Sequence, residues 1–362
     1  MQNEINFYRI ELPINSHDLI IIQDILRRRD VIRTVFPKSQ FDQYSFLSYA
    51  KEMALHETIF CAILDRNIFS DIIAVVNNNR KSISETQKSA CALLAFLQLT
   101  NTRIEPGIAI YEYVDSGHFK YAEKELSLFR AADNVHPKYY VDIALGRTAV
   151  IPNDELNYAE DSNVKDMKGE DNLTWKLIYG LTLKMAILET REGRNINKIK
   201  TLFKWIYTDY LFISPCIVFA IIYFSHKRFS KMIKNIGNSD IEKIRRGLHN
   251  AAWDMRLVHY WSEKVLTQKG SNKIWLLCTE DKAIKEFSQY ILDTGDLQNS
   301  KLVVFFKKYL GEEDGKKASD FYASLVKDVD DPQRVINSKP KSEEVIDIVI
   351  QKLEKELFVK MK

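Results

Sequence analysis

Two hydrophobic patterns alternate along the chain: short unbroken apolar runs that stop at an acid, and longer segments with apolar residues at helical spacing. Ile59-Phe60-Cys61-Ala62-Ile63-Leu64 is a run of the first kind and stops at Asp65. A strand covered on both faces of a parallel sheet has this composition, because neither side meets water. Ile274-Trp275-Leu276-Leu277-Cys278-Thr279, closed by Glu280-Asp281, predicts a second such strand, and Leu302-Val303-Val304-Phe305-Phe306 a third.

Helical spacing predicts helices around Leu19–Arg27 and Phe41–Met53, after a short extended start over Phe7–Leu12. Another follows Asn67, from Ile68 to Val76, and ends at Asn77-Asn78-Asn79. Ser84 and Gln87 stand at capping-box spacing ahead of an apolar helix through Leu99. Pro106 opens the next helix, since proline costs no hydrogen bond in a first turn; it carries Ile108, Ile110, Tyr111, Glu112 and Val114. Ile241–Leu266 is helical, and so is the end of the chain from about Ser342. There Ile346, Ile350, Leu353 and Leu357 form a stripe suited to docking on the body or on a partner.

These patterns divide the chain into an N-terminal extension (1–57), an α/β core in two parts (58–115 and 241–310), a helical insertion (116–240) and a C-terminal helical tail (311–362). The stretch from Pro152 to Asn172 reads as a solvated loop or linker, with seven carboxylates and two lysines between Asp154 and Asp171.

Charge is nearly balanced: 52 Lys and Arg against 49 Asp and Glu leave +3, so any nucleic-acid surface has to be local. Cys61, Cys91, Cys216 and Cys278 form no Cys-x-x-Cys pair and sit in apolar runs, which predicts reduced core residues. The start of the chain lacks the features of a secretory leader. Leu211–Phe224 is apolar, but as a helix it rises only ~21 Å against a hydrocarbon layer of ~30 Å, and Pro215 interrupts it. A buried helix, no membrane span and a cytoplasmic protein are expected.

Acids at the ends of two buried strands are the most informative chemistry. In an open parallel sheet ligands sit beyond the carboxyl ends of the strands, so Asp65 and Glu280-Asp281 would face one crevice. Glu112 and Asp254 are acids on otherwise apolar helical faces, costly to bury unless something positive offsets them. Carboxylates ~4 Å apart repel by ~4 kcal/mol at an effective dielectric of about 20. A divalent cation removes that penalty, and all-oxygen ligands point to Mg²⁺ or Mn²⁺.

Leu64-Asp65-Arg66-Asn67, Glu112, Asn250-Ala251-Ala252-Trp253-Asp254 and Leu277-Cys278-Thr279-Glu280-Asp281-Lys282, in that order, resemble the PIN-domain nucleases. That family carries an Asp-x-Asn after its first strand, a helical Glu, a helical Asp and a Thr-x-Asp after its fourth strand. The resemblance covers roughly residues 58–115 and 240–308, under half of the chain, and Glu112 and Asp254 are farther apart than in a minimal PIN domain. Glu105 and Asp115 lie close to Glu112, and Glu280 can share the role of Asp281.

The resemblance implies a three-layer α/β/α fold with a central parallel sheet, and metal-dependent hydrolysis of phosphodiesters, usually in single-stranded RNA. Asp65, Glu112, Asp254 and Asp281 would be the catalytic and metal-holding acids. Asn67 and Thr279, with Glu280, would orient them by hydrogen bonds. Arg66, Arg245, Arg246, Arg256 and Lys282 are candidate phosphate contacts. Tyr111, Trp253 and Trp261 fit either base stacking or core packing.

The architecture suggests a regulated toxin or phage-defence effector, with a regulatory protein partner or self-association as further interactions. Two other readings stand beside it. Arg130 and His136 have the spacing of HEPN-type ribonucleases, which need no metal, although Ala131 stands where a polar residue is usual. A non-catalytic interaction protein with a degenerate PIN-like core is the other. Asp65-Arg66-Asn67 lacks the Asp-x-Asp of haloacid-dehalogenase phosphatases.

Overall fold

A computed structural model describes residues 11–36, 40–77, 82–115, 117–158, 164, 170–211, 213–225, 232–268, 270–294, 299–327 and 342–359. The chain forms two compact units, Met1–Asp166 with Gln268–Glu280, and Met167–Thr267 with Asp281–Lys362. The fold is mixed α/β, dominated by helices, with one small and mostly parallel sheet.

The sheet belongs to the first unit and has the order β1-β4-β2-β3: Ile32–Arg33, Lys273–Cys278, Ile59–Leu64 and Arg103–Glu105. β2 is parallel to β4, with Ile59 opposite Lys273 and Leu64 opposite Cys278, and parallel to β3 on its other side. β1 runs antiparallel on the far edge of β4. From Phe60 onward every residue of β2 is buried, as a strand flanked by neighbours on both sides and covered on both faces requires. Both long apolar runs are therefore strands, as expected from the sequence.

Around this sheet stand α1 (Ser16–Arg29), α2 (Phe46–His56), α3 (Arg66–Val76), α4 (Glu85–Leu99), α5 (Gly107–Asp115), α6 (Phe119–Asn134) and α7 (Pro137–Ala144). α4 begins with the expected capping box, Ser84 and Gln87 each satisfying the other's backbone N–H. α4 then packs on α1, α3 and α7, which is why its residues from Ser89 to Leu97 are buried all round. Tyr49, Phe60 and Phe96 interlock at ring-centroid distances of 4.4 and 5.3 Å and join α2, β2 and α4.

The second unit is helical: α8 (Glu170–Glu189), α9 (Asn195–Asp209), α10 (Ser214–Tyr223), α11 (Ile241–Thr267), α12 (Lys282–Thr294), α13 (Asn299–Leu310), α14 (Glu312–Val326) and α15 (Glu343–Val359). α10 forms most of the apolar segment Leu211–Phe224; Pro215 sits in its first turn, and Cys216 through Ile222 are buried. Among the described residues no helix is long and apolar enough to cross a membrane. α15 docks on α8 through Ile346, Leu353 and Leu357, with Lys176 paired to Glu343 and Asp347 and Arg191 to Glu356. Its apolar stripe therefore meets the body of its own unit. Cys61, Cys91, Cys216 and Cys278 are all free and buried, as their apolar surroundings predict.

Some expectations are corrected. Leu302–Phe306 is not a strand but lies within α13. Leu302, Phe305, Phe306 and Tyr309 are buried while Val304 is 66% exposed, a helical period that the run of five apolar letters conceals. β1 and β3 hold only two and three residues, too few for a pattern to announce them. The described regular elements of residues 116–240 are all helices, but α6 and α7 belong to the first unit and α8–α10 to the second. Phe7–Ile10, Asn78-Asn79, most of 159–169 and the two prolines at 332 and 340 lie outside the described residues.

Candidate functional site

Asp65 is placed by the end of β2. Its backbone N–H donates to the Cys278 carbonyl at 2.9 Å, continuing the ladder between β2 and β4, and its own carbonyl accepts from Phe69 to start α3. It occupies the cap position of α3, yet its side chain does not cap that helix. Thr279, the residue after β4, donates its hydroxyl to Asp65 Oδ2 at 2.7 Å. Thr279 is fully buried and Asp65 is 3% exposed. The backbone of Thr279 is fixed in turn by its N–H to the Val31 carbonyl at 2.9 Å. Burying a carboxylate is costly unless it is hydrogen-bonded, and a short O–H···O⁻ bond is among the stronger offsets. Two residues from the carboxyl ends of adjacent parallel strands thus hold one another, where open α/β sheets bind ligands.

Arg66 follows directly. Its guanidinium grips Glu125 of α6 through two parallel hydrogen bonds of 2.7 and 2.8 Å and also reaches the Ala109 carbonyl of α5 at 3.0 Å. It lies over the Tyr113 ring at 4.4 Å and near the Phe69 ring at 5.3 Å. Glu125 is a residue that sequence reasoning missed. It sits in an ordinary amphipathic helix, 59 positions from its partner, and only its burial marks it. Glu112, half-buried on α5, has its carboxyl pushed above the usual range by burial; Arg66 opposes that shift and Glu125 adds to it. Asn67 is exposed on the first turn of α3. One carboxylate oxygen of Glu280 is shut off from solvent with no hydrogen-bond partner among the described residues.

The remaining expected site residues belong to the second unit. Asp281 caps α12: its Oδ1 accepts the N–H groups of Ala283 at 2.7 Å and Ile284 at 3.2 Å. Lys282 and Arg246 are exposed, and Asp254 is half-buried on α11. Arg245 pairs with Glu242 and Glu354 and lies over the Phe358 ring at 5.1 Å. Arg256 is interior, 2% exposed, 3.3 Å from His259 Nδ1 and over the Tyr260 ring, so it is not a surface phosphate contact.

Trp261 is wholly buried and belongs to the core, whereas Tyr111 is half-buried. Trp253 stacks at 5.5 Å on Trp175, which stacks at 5.1 Å on Tyr179, and His249 tilts against both Trp175 and Tyr179. Of the two roles its sequence position allows, Trp253 therefore takes the packing one, as part of an intramolecular stack. In the other ribonuclease spacing Arg130 and His136 are both exposed, and His136 Nδ1 accepts the Lys138 N–H at 3.3 Å at the start of α7.

Among the described residues no three His, Cys, Asp or Glu side chains stand together as a group able to hold a metal ion. What the first unit does offer a cation is one buried, oriented carboxylate at Asp65 and an unpartnered oxygen at Glu280. Mg²⁺ often takes one or two carboxylates and completes its shell with water and substrate phosphate. Compared with family models, with curated proteins and with solved structures, the chain matches none.

Proposed function

We propose that the chain is a PIN-like, metal-dependent nuclease that hydrolyses phosphodiester bonds in single-stranded RNA. The observation that carries this reading is the hydrogen bond from Thr279 to the buried carboxylate of Asp65 at the carboxyl ends of β2 and β4. It joins two of the four motifs whose order in the chain resembles the PIN-domain nucleases. The three-layer arrangement of that family is part of the proposal, as is service as a regulated toxin or phage-defence effector.

Asp65 is the residue suited to hold Mg²⁺ or Mn²⁺, with Glu280 beside Thr279 as a second oxygen donor. A bound divalent ion would lower the pKa of its water and offset charge on the phosphate oxygens. Thr279 donates to Asp65 Oδ2 and so helps fix the orientation of that carboxylate. Glu112 is the acid that would complete the cage or orient the attacking water, as the resemblance implies.

A non-catalytic interaction protein is the second reading. It is favoured by the engagement of Asp281 as a helix cap and of Arg66 with Glu125.

Cleavage of labelled single-stranded RNA and DNA by the purified chain, with Mn²⁺ and with EDTA, separates these readings. Cleavage that needs Mn²⁺ supports the nuclease. A folded protein that cleaves neither strand supports the interaction protein, and cleavage in EDTA points to the metal-independent chemistry of Arg130 and His136.

A further inference from the structure

We infer that Glu125 is an internal competitor for the substrate: its carboxylate occupies the face of Arg66 that a phosphodiester of single-stranded RNA would take. This rests on the nuclease reading and adds a control to the same site.

A guanidinium presents two parallel N–H groups that fit a carboxylate and a phosphate equally well. In this chain both are taken by Glu125, at 2.7 and 2.8 Å. Arg66 is the residue next to Asp65, so the cation lies one peptide from the carboxylate that would direct the chemistry. The pair is sheltered but not sealed, the side chains being 22% and 11% exposed.

Arg66 also has support that does not depend on Glu125. The Ala109 carbonyl accepts from the same Nη1 at 3.0 Å, and the Tyr113 ring lies 4.4 Å beneath the guanidinium. Parting from Glu125 would therefore leave Arg66 anchored and facing a new anion, not loose in solvent. Glu112, between Ala109 and Tyr113 on α5, is a second acid within electrostatic reach of that guanidinium. A pair serving stability alone would show only a loss when broken. A competitor shows a gain in binding.

The test measures binding of a fluorescein-labelled oligo-uridine RNA by anisotropy, in EDTA so that no strand is cut. Glu125→Gln should bind about tenfold more tightly than wild type, a change of about 1.4 kcal/mol. Combining it with Arg66→Gln should return affinity to the wild-type level or below. Glu85→Gln, which removes an equal charge from an exposed site, should change affinity by less than about twofold. Equal affinity of Glu125→Gln and Glu85→Gln overturns the inference.

Should Glu125→Gln not fold, the ¹⁵Nε resonance of Arg66 in the wild-type chain takes its place. A shift on adding the RNA supports competition, and RNA binding without a shift overturns it. RNA cleavage by wild type with no effect of Glu125 overturns this inference alone, whereas absence of RNA binding by every variant overturns the nuclease reading with it.

Discussion

Thr279 donates its hydroxyl to Asp65 Oδ2 at 2.7 Å, from the end of β4 to the end of β2, with both residues out of solvent. Neither residue could stay buried at its strand end so cheaply without the other. Thr279→Val keeps the shape and removes the donor, leaving a buried carboxylate short of a partner. It should lower unfolding free energy by about 1–3 kcal/mol, read from urea denaturation. It should also reduce RNA cleavage, because Asp65 loses the bond that orients it. Thr279→Ser keeps the hydroxyl and should recover most of both.

The Arg66–Glu125 fork joins α3 to α6, and its members should show strong coupling. Arg66→Met and Glu125→Leu alone each strand a largely buried charge and should cost about 3 kcal/mol. The double variant strands none and should cost clearly less than the two singles together. A double-mutant cycle on urea midpoints measures the difference.

Stability should fall as the solution is acidified. Burial, with Arg256 beside it, holds His259 down to about 4, against 6.5 in an unfolded chain. Above 6.5 both states are neutral and nothing depends on pH. Below it the unfolded chain gains a proton that the folded chain refuses, so stability drops until about pH 4 and then levels. At about 1.4 kcal/mol per unit the loss from this residue is at most about 3.5 kcal/mol. His249, lowered chiefly by burial, acts in the same direction, while Glu112, raised by burial, opposes it. Urea midpoints across this range should slope upward with pH, and His259→Gln should flatten the slope.

Gly315 lets α14 approach α13 backbone to backbone: a β-carbon there would stand 2.5 Å from Lys307 Cα and 2.7 Å from its nitrogen. Gly315→Ala should therefore destabilise the second unit by about 1–3 kcal/mol in spite of alanine's better helix propensity. Thermal unfolding of the variant checks it.

The sequence made the buried strands β2 and β4 legible because both are unbroken apolar runs ending at acids, and α4 because its capping box is written in Ser84 and Gln87. β3 and β1 carry too few residues to form a pattern, and α13 imitates a strand because two of its solvent-side positions happen to be valines. Of the candidate site, Asp65 and Thr279 could be read from their places after apolar runs. Glu125 could not, since its meaning lies in a partner 59 positions away. The cap formed by Asp281 and the burial of Arg256 were equally silent, because a cap and a site acid, or a core and a surface arginine, share the same letter.

The central claim is that Asp65 directs metal-dependent hydrolysis of RNA. Its most direct test compares wild type and Asp65→Asn on labelled single-stranded RNA, each with Mn²⁺ and with EDTA. The expected result is cleavage by wild type with Mn²⁺ and none in the other three reactions, with both proteins folded. Cleavage that survives both EDTA and Asp65→Asn would contradict the claim.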